Sequence, residues 1–380
     1  MLRWLLVAAI GVSLGYSVVT LVGAARWVRR RRPRGDDFTP PVTLLKPVKG
    51  PDAELLENLR SFFRQDYPEY QILFGAADPE DPAVPVVRRV LTEHPEADAQ
   101  LVLCPESLGP NAKVSTLHQM VPFARHDVLV VSDSDTRVPS DYLRQVAAPL
   151  AHPRVGVVTA LYRGAAPTGL AANLERLLID TQFIPRVLAA SVVEGVRFTL
   201  GATVALRRKV LDELGGFAPF ARVLAEDYQF GYQAVAGGHT VALASVVVDC
   251  VLGRVPFRDF FLRQVRWERT TRACRAGGYF GSVLRHGVFF ALLLLLLQGP
   301  SAWTVGLLAA ISGLRLSVAL AVSAGVLRAL DTVRSLWLLP LSDALSVLLW
   351  VLAFTGNTVT WRGQRYRLRR GGYLVPLDAK

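Results

Sequence analysis

The chain has 380 residues, enough for one catalytic-size domain of about 200–250 residues with roughly 100 to spare. Apolar residues make up 51% of it and charged residues only 19%, and mean hydropathy is positive, which excludes a disordered or collagen-like chain and argues against a purely soluble protein. Net charge is +12, carried almost wholly by arginine, while Cys104, Cys250 and Cys274 form no C-x-x-C spacing and the six histidines no i, i+4 pair, so neither a disulfide framework nor a zinc site is expected.

In chain order, residues 5–25 contain no charged side chain and are long enough for one span, since about 20 residues cross a bilayer core. Trp4 and Trp27 bracket the run as interfacial anchors would. A cleaved signal peptide is the rival, with a small-residue site at Val22-Gly23-Ala24. The arginines that follow, Arg26, Arg29, Arg30, Arg31, Arg32 and Arg34, would resist export. An uncleaved anchor over residues 1–28 is therefore expected, with the chain from about residue 29 onward on the cytoplasmic side.

Residues 40–275 read as alternating strand and helix. Strands are predicted at 42–45, 70–76, 100–103 and 127–132, with helices at 53–63, 84–92 and 113–123 between them. That alternation implies an α/β domain with a mostly parallel, Rossmann-like sheet, whose ligands bind beyond the carboxyl ends of the strands. The residues found there are Lys46, Asp78, and the run Ser132-Asp133-Ser134-Asp135. Two carboxylates at i and i+2 after a buried strand repel each other. A divalent cation bridging to phosphate oxygens would resolve that repulsion. The alternative is that Asp133 or Asp135 caps a helix starting near Pro139. Further on, Glu226-Asp227 opens a helix through about residue 236, where an acid pair can simply serve the helix dipole. Arg263, Arg266 and Trp267 lie on a basic helical stretch whose plainer reading is a solvated, membrane-facing surface.

The last third is apolar again. Residues 283–297, 302–327 and 336–360 are candidate spans or re-entrant segments within a 283–361 region, and Arg315 is the lone charge of the second. Three full spans would place the basic 362–380 tail outside, against the positive-inside rule. The short first run, ending at Gln298-Gly299-Pro300, is the segment expected not to cross. Basic clusters that flank apolar runs and lack interleaved stacking aromatics favour contact with an anionic lipid bilayer over nucleic acid.

Taken in order, LLKPVKG (44–50), the first aspartate of AADPEDP (76–82), GPNAKVSTL (109–117), DSDTRVPSDYL (133–143), GGFAPFARVLAEDY (215–228) and RQVRW (263–267) make the chain resemble the ceramide glucosyltransferase family. The resemblance covers roughly residues 40–275, and also the placement of one N-terminal and several C-terminal spans. It implies a GT-A fold in a cytoplasmic domain held between N- and C-terminal transmembrane helices, and an inverting transfer from a UDP-sugar. By that resemblance Asp78 reads the uracil and ribose end. Asp133 and Asp135 hold Mg²⁺ or Mn²⁺ on the diphosphate, with Asp135 the more direct ligand. Asp227 is the general base, and Arg263, Arg266 and Trp267 close over the diphosphate and the acceptor. Lys46 and Lys113 add positive charge near the phosphates.

The reading that follows is transfer of glucose from UDP-glucose to ceramide, at the cytoplasmic face of a bacterial inner membrane. The enzyme alternative is transfer of N-acetylglucosamine from its UDP derivative to a hopanoid. A catalytically silent membrane scaffold is the alternative outside enzymes, and it would be expected to have lost one of the four aspartates, all of which are present.

Overall fold

In the computed structural model, which describes residues 1–30, 38–361 and 363–377, the short apolar runs of the middle region become strands of one sheet. Arg31, Arg32, Arg34, Arg362 and Lys380, counted above among the basic residues, lie outside the described residues. The chain divides into two units. One comprises Arg30–Pro167, Val196–Arg254 and Gly371–Lys380, and the other Met1–Arg29, Thr168–Gly195 and Val255–Arg370.

The first unit is built on the strands β1 (Val42–Pro47), β2 (Tyr70–Ala76), β3 (Ala99–Leu103), β4 (Val128–Val131), β5 (Thr136–Arg137), β6 (Val155–Thr168), β7 (Val204–Arg207) and β8 (Thr240–Arg254). Their order across the sheet is β3-β2-β1-β4-β7-β6-β8-β5. β3, β2, β1 and β4 run parallel, whereas β7 is antiparallel to both β4 and β6. β1, β2 and β4 are buried almost throughout and mostly apolar because both their faces are covered, whereas β3, at the sheet's edge, is half exposed. On one face Leu44, Ile72, Phe74, Val128 and Val130 pack with side chains from helices Leu55–Ser61, Ala83–Glu93 and Tyr142–Ala147. On the other, Leu45, Leu73, Leu129 and Val131 pack with Val114, Leu117 and Met120 of helix Ala112–Met120 and with Phe230 and Ala234 of helix Glu226–Ala236. Leu45 stands opposite both Leu73 and Val131, so β4 ends there while β1 runs on to Pro47 and β2 to Ala76, with all three carboxyl ends on the same edge of the sheet. The direction of connection reverses between β1 and β4, which is where such sheets open a crevice.

The helix after the DSD run begins at Tyr142, and neither Asp133 nor Asp135 caps it; its cap position is Asp141, which makes no side-chain cap bond. Residues 133–136 instead form a turn, with the Thr136 N–H donating to the Asp133 carbonyl at 3.2 Å, which leads into β5. The Val251 N–H donates to the Asp135 carbonyl at 2.9 Å and fastens this turn to β8.

Among the described residues three helices, almost wholly in the second unit, are long and apolar enough to cross a membrane: Leu2–Arg30, Ala302–Val326 and Leu336–Thr355. The LLLLLL run sits in Gly287–Gln298, which is bent by 59° from Ala276–Arg285, the geometry of a broken span or a re-entrant loop. Arg315 has a counter-ion, Asp343, at 2.8 Å. Thr358–Trp361 and Gln364–Leu368 pair as an antiparallel hairpin within the stretch read from sequence as the end of the apolar region and the start of a basic tail.

The N-terminal helix packs closely in this unit. A Cβ at Gly23 would sit 2.5 Å from the Leu188 carbonyl oxygen, nearer than any side chain tolerates. Small residues at such crossings let helix backbones approach where lipid supplies no hydrophobic drive. Gly23→Leu is therefore expected to destabilise the detergent-solubilised protein by about 1–3 kcal/mol, the usual cost of overpacking. Gly15→Leu should leave thermal unfolding unchanged, because nothing lies within 4 Å of a Cβ there.

Candidate active site

At the carboxyl ends of β1 and β4, the chain concentrates charge. Lys46 closes β1 and is fully buried, its Nζ donating to the Asp133 carbonyl at 2.6 Å and resting 3.8 Å from the Phe62 ring centroid. Burial lowers its pKa to about 7 against the pull of Asp135, Asp133 and Asp52. Asp52 lies in the loop after β1 and accepts a hydrogen bond from the Ser134 hydroxyl, and desolvation raises its pKa. The same loop is pinned towards the end of β2, where Asp81 Oδ1 accepts from the Gly50 N–H at 2.8 Å. Asp78, also at the end of β2, is exposed and accepts from the Glu80 N–H at 2.9 Å.

Lys113 enters from helix Ala112–Met120. Its Nζ is 2.6 Å from Asp133 Oδ1 and 3.0 Å from Glu226 Oε1. Burial alone would lower its pKa, but Asp133, Glu226 and Asp227 together outweigh that and hold the ammonium charged. Asn111 caps this helix through the Val114 N–H at 3.2 Å. The same Asn111 amide donates to Glu226 Oε2 at 3.0 Å and to the Val223 carbonyl at 2.9 Å. One helix start thereby ties the DSD turn to the Glu226-Asp227 pair.

Asp227 sits in the first turn of helix Glu226–Ala236, with Oδ2 accepting from the Gly201 N–H at 2.8 Å and Oδ1 from the Tyr228 N–H at 2.7 Å. Desolvation, then the neighbouring Glu226, push its pKa up to about 7, partly offset by Lys113. That value suits a general base working near neutrality. Gly201 separates the two acidic groups: a Cβ there would meet Asp133 Oδ2 at 3.1 Å and Asp227 Oδ2 at 3.3 Å. The segment entering Asp227 is braced by the chain's end. The Leu224 N–H donates to the Gly372 carbonyl at 2.9 Å, and Gln229 Nε2 to the Gly371 carbonyl at 2.8 Å.

Asp135 is the less satisfied member of the pair. Its Oδ2 accepts from the Cys250 thiol at 3.4 Å, and desolvation, Asp133 and Asp52 raise its pKa to about 6. Among the described residues no three His, Cys, Asp or Glu side chains form a ready-made metal cage. Two hard carboxylate oxygens with repelled charge nevertheless fit a magnesium- or manganese-type ion whose remaining ligands come from phosphate and water.

The structure thus brings Lys46, Lys113, Asp133, Asp135 and Asp227 into one network, together with Asp52, Ser134, Glu226, Asn111 and Gly201, to which sequence reasoning assigned no role. Arg263, Arg266 and Trp267 lie on helix Phe257–Cys274 of the other unit. There Arg263 and Gln264 share the buried carboxylate of Glu175, and Trp267 is partly exposed.

Comparison with known proteins follows the same lines. Ceramide glucosyltransferase 3 of Caenorhabditis elegans is 30% identical over 235 residues, which cover 62% of this chain and 51% of that protein. Ceramide glucosyltransferase of Candida albicans is 38% identical over 116 residues, 27% of this chain and 21% of its own. The chain spans about half the length of the two nematode relatives it matches. Among solved structures, the mannosyltransferase PcManGT from Pyrobaculum calidifontis, in complex with GDP-Man and Mn²⁺, superposes with a TM-score of 0.58 at 21% identity, covering 93% of this chain and 98% of that one. That likeness establishes a GT-A-like α/β fold. The model of glycosyl transferase family 21 matches residues 5–374, nearly the whole chain, and the chain belongs to that family.

Proposed function

We propose that the protein transfers glucose, with inversion, from UDP-glucose to the primary hydroxyl of ceramide at the cytoplasmic leaflet of a membrane. The observation that carries this reading is the placement of Asp227 and Asp133 on either side of Gly201, with Lys113 between Asp133 and Glu226. A base beside a phosphate-and-cation site is what a single-displacement transfer needs: one carboxylate removes the acceptor proton while the diphosphate departs on the opposite side of the sugar. Family membership, the ceramide glucosyltransferase relatives and the three apolar helices support the lipid acceptor.

In this reading Asp135 and Asp133 hold Mg²⁺ or Mn²⁺, which when bound neutralises charge building on the leaving diphosphate. Mn²⁺ in the similar archaeal mannosyltransferase supports the choice of ion. Asp78 holds the nucleoside end of the donor. Lys113 is anchored by two carboxylates and keeps Asp133 oriented, and Lys46 fixes the backbone of the DSD turn from below. Arg263, Arg266 and Trp267 are assigned to the diphosphate and the acceptor. The guanidinium fork of arginine suits phosphate oxygens.

The direct test is to incubate the purified, detergent-solubilised protein with UDP-glucose and ceramide and to identify the glycolipid product by mass spectrometry. Glucosylceramide is expected. A product only with UDP-N-acetylglucosamine, or only with another lipid, would replace donor or acceptor in this reading.

Asp227→Asn should lower turnover by about 10²–10⁴-fold, the usual worth of a positioned base, while UDP affinity by calorimetry stays near wild type. Asp135→Ala should weaken UDP binding in the presence of Mn²⁺ and leave the weaker, metal-free binding unchanged. An identical Mn²⁺ dependence in the variant would remove Asp135 from the ion site. The pH profile follows from Asp227. Its raised pKa of about 7 means the base is protonated below that pH and free above it. kcat/KM should therefore climb as pH rises from 6 to 8, and a flat profile over that range would reassign the base.

A further inference from the structure

The helix that carries Asp227 has no cap of its own. Ala225 stands at the cap position of Glu226–Ala236 and offers no side-chain oxygen to the first N–H groups. The body of the helix is fixed, because a Cβ at Gly231 would fall 2.4 Å from the Phe198 carbonyl carbon. Its start is held from outside, by the groups that grip residues 221–229. We infer that Gly371, Gly372 and Leu374 are positioning residues of the transfer, a clamp on the entry to this helix that acts through Asp227. The inference rests on the reading of Asp227 as the base.

Residues 221–224 run between two edges. On one side the Asn111 N–H donates to the Ala221 carbonyl at 2.9 Å, and the Asn111 amide to the Val223 carbonyl at 2.9 Å. On the other, the Leu374 N–H donates to the Arg222 carbonyl at 2.8 Å and the Leu224 N–H to the Gly372 carbonyl at 2.9 Å, with Val223 and Tyr373 as the antiparallel pair. A third bond reaches the helix itself, from Gln229 Nε2 to the Gly371 carbonyl at 2.8 Å.

The two glycines make this grip possible. φ is +82° at Gly371 and +81° at Gly372, a region that residues with a side chain rarely visit. Successive carbonyls of an extended strand point to opposite sides. Here both face the same helix entry, one taken by Gln229 and the next by Leu224. Leu374 is 3% exposed and anchors the clamp by burial. Beyond the entry, Asp227 keeps its own bonds, Oδ2 from the Gly201 N–H at 2.8 Å and its carbonyl from the Thr199 hydroxyl at 2.7 Å. These need the helix start in one place. A shift of roughly 1 Å at a reacting group can cost on the order of 10²-fold in rate.

The test uses the full-length protein in detergent with UDP-glucose and short-chain ceramide, and compares two residues at one position. Valine is strained at positive φ, whereas asparagine tolerates it. A Cβ at Gly371 would approach the Tyr373 ring to 3.2 Å, and that ring is 45% exposed and can shift for either residue. Gly371→Val should lower kcat by roughly 10–100-fold and leave KM for UDP-glucose within about twofold of wild type. Gly371→Asn should keep kcat within about threefold. Amide exchange of residues 221–229 should quicken in the valine variant and stay at the wild-type rate in the asparagine variant. Gln229→Leu, which removes one bond from the helix side, should lower kcat by about 3–10-fold and serves if Gly371→Val fails to fold. Wild-type kcat in Gly371→Val, an equal loss in both Gly371 variants, or a loss seen only in KM would each overturn the proposal. Asp227→Asn assayed alongside separates the clamp from the base. Full turnover there removes the base and the positioning role with it, whereas an inactive Asp227→Asn beside a fully active Gly371→Val removes the clamp alone.

Discussion

The arrangement at the sheet's rim is governed by an excess of negative charge in a partly desolvated place. Asp52, Asp133, Asp135, Glu226 and Asp227 face only two ammonium groups, Lys46 and Lys113. Desolvation pushes Asp135 and Asp227 towards protonation, so the protein alone does not stabilise all its carboxylates as anions. Lys113 shows how tightly this charge controls the local structure. It stands in the first turn of its helix, where the dipole disfavours a cation. Contacts of 2.6 and 3.0 Å to Asp133 and Glu226 outweigh that cost, and Asn111 fixes the helix start so that they can form. Neutralising the remainder would fall to a bound ligand, and a divalent cation has the charge and the oxygen preference to do it.

The sheet explains why such charge can collect there. Both faces of β1 and β4 are covered by apolar side chains, so these strands are almost wholly apolar until their carboxyl ends, Thr43 of β1 being satisfied by Gln71. The first polar residues after each strand therefore cluster at the carboxyl edge. There the loops are free to carry them, and the reversal between β1 and β4 leaves room for a ligand.

That logic is also why part of the site could be read without coordinates. VLVV followed by SDSD, and VTLL followed by Lys46, show both the strand and its polar end within a few residues. What escaped the sequence were relations across long separations. Ser134 meets Asp52 from 82 residues away, and Asn111 meets Glu226 from 115 away. Gly201 carries no chemistry of its own, and its importance lies in the absence of a side chain between Asp133 and Asp227. The second half of the sheet was likewise hidden. β6 and β8 are long, rich in alanine, valine and glycine, and joined by antiparallel or distant partners, so no strand–helix alternation marked them. Arg315 looked solitary because its partner, Asp343, lies 28 residues on within another apolar run.

The two units treat their buried polar groups in opposite ways, and this separates the ligands they suit. At the sheet's rim acidic groups outnumber basic ones, and burial alters the protonation of those that lack a partner. Among the apolar helices some charges are matched, Arg315 with Asp343 and Arg263 with Glu175, while the guanidinium of Arg285 donates to the neutral oxygens of Ser282 and Ser346. The buried atoms without a hydrogen-bond partner there include Arg285 Nε as well as His286 Nε2. A divalent cation would answer the imbalance at the rim, where the groups that burial leaves unmet are carboxylates. A cation offers nothing to the helices, whose unpartnered atoms include arginine nitrogens. The two units therefore differ in the sign of the charge that burial leaves without a counter-charge, negative at the sheet's rim and positive at Arg285.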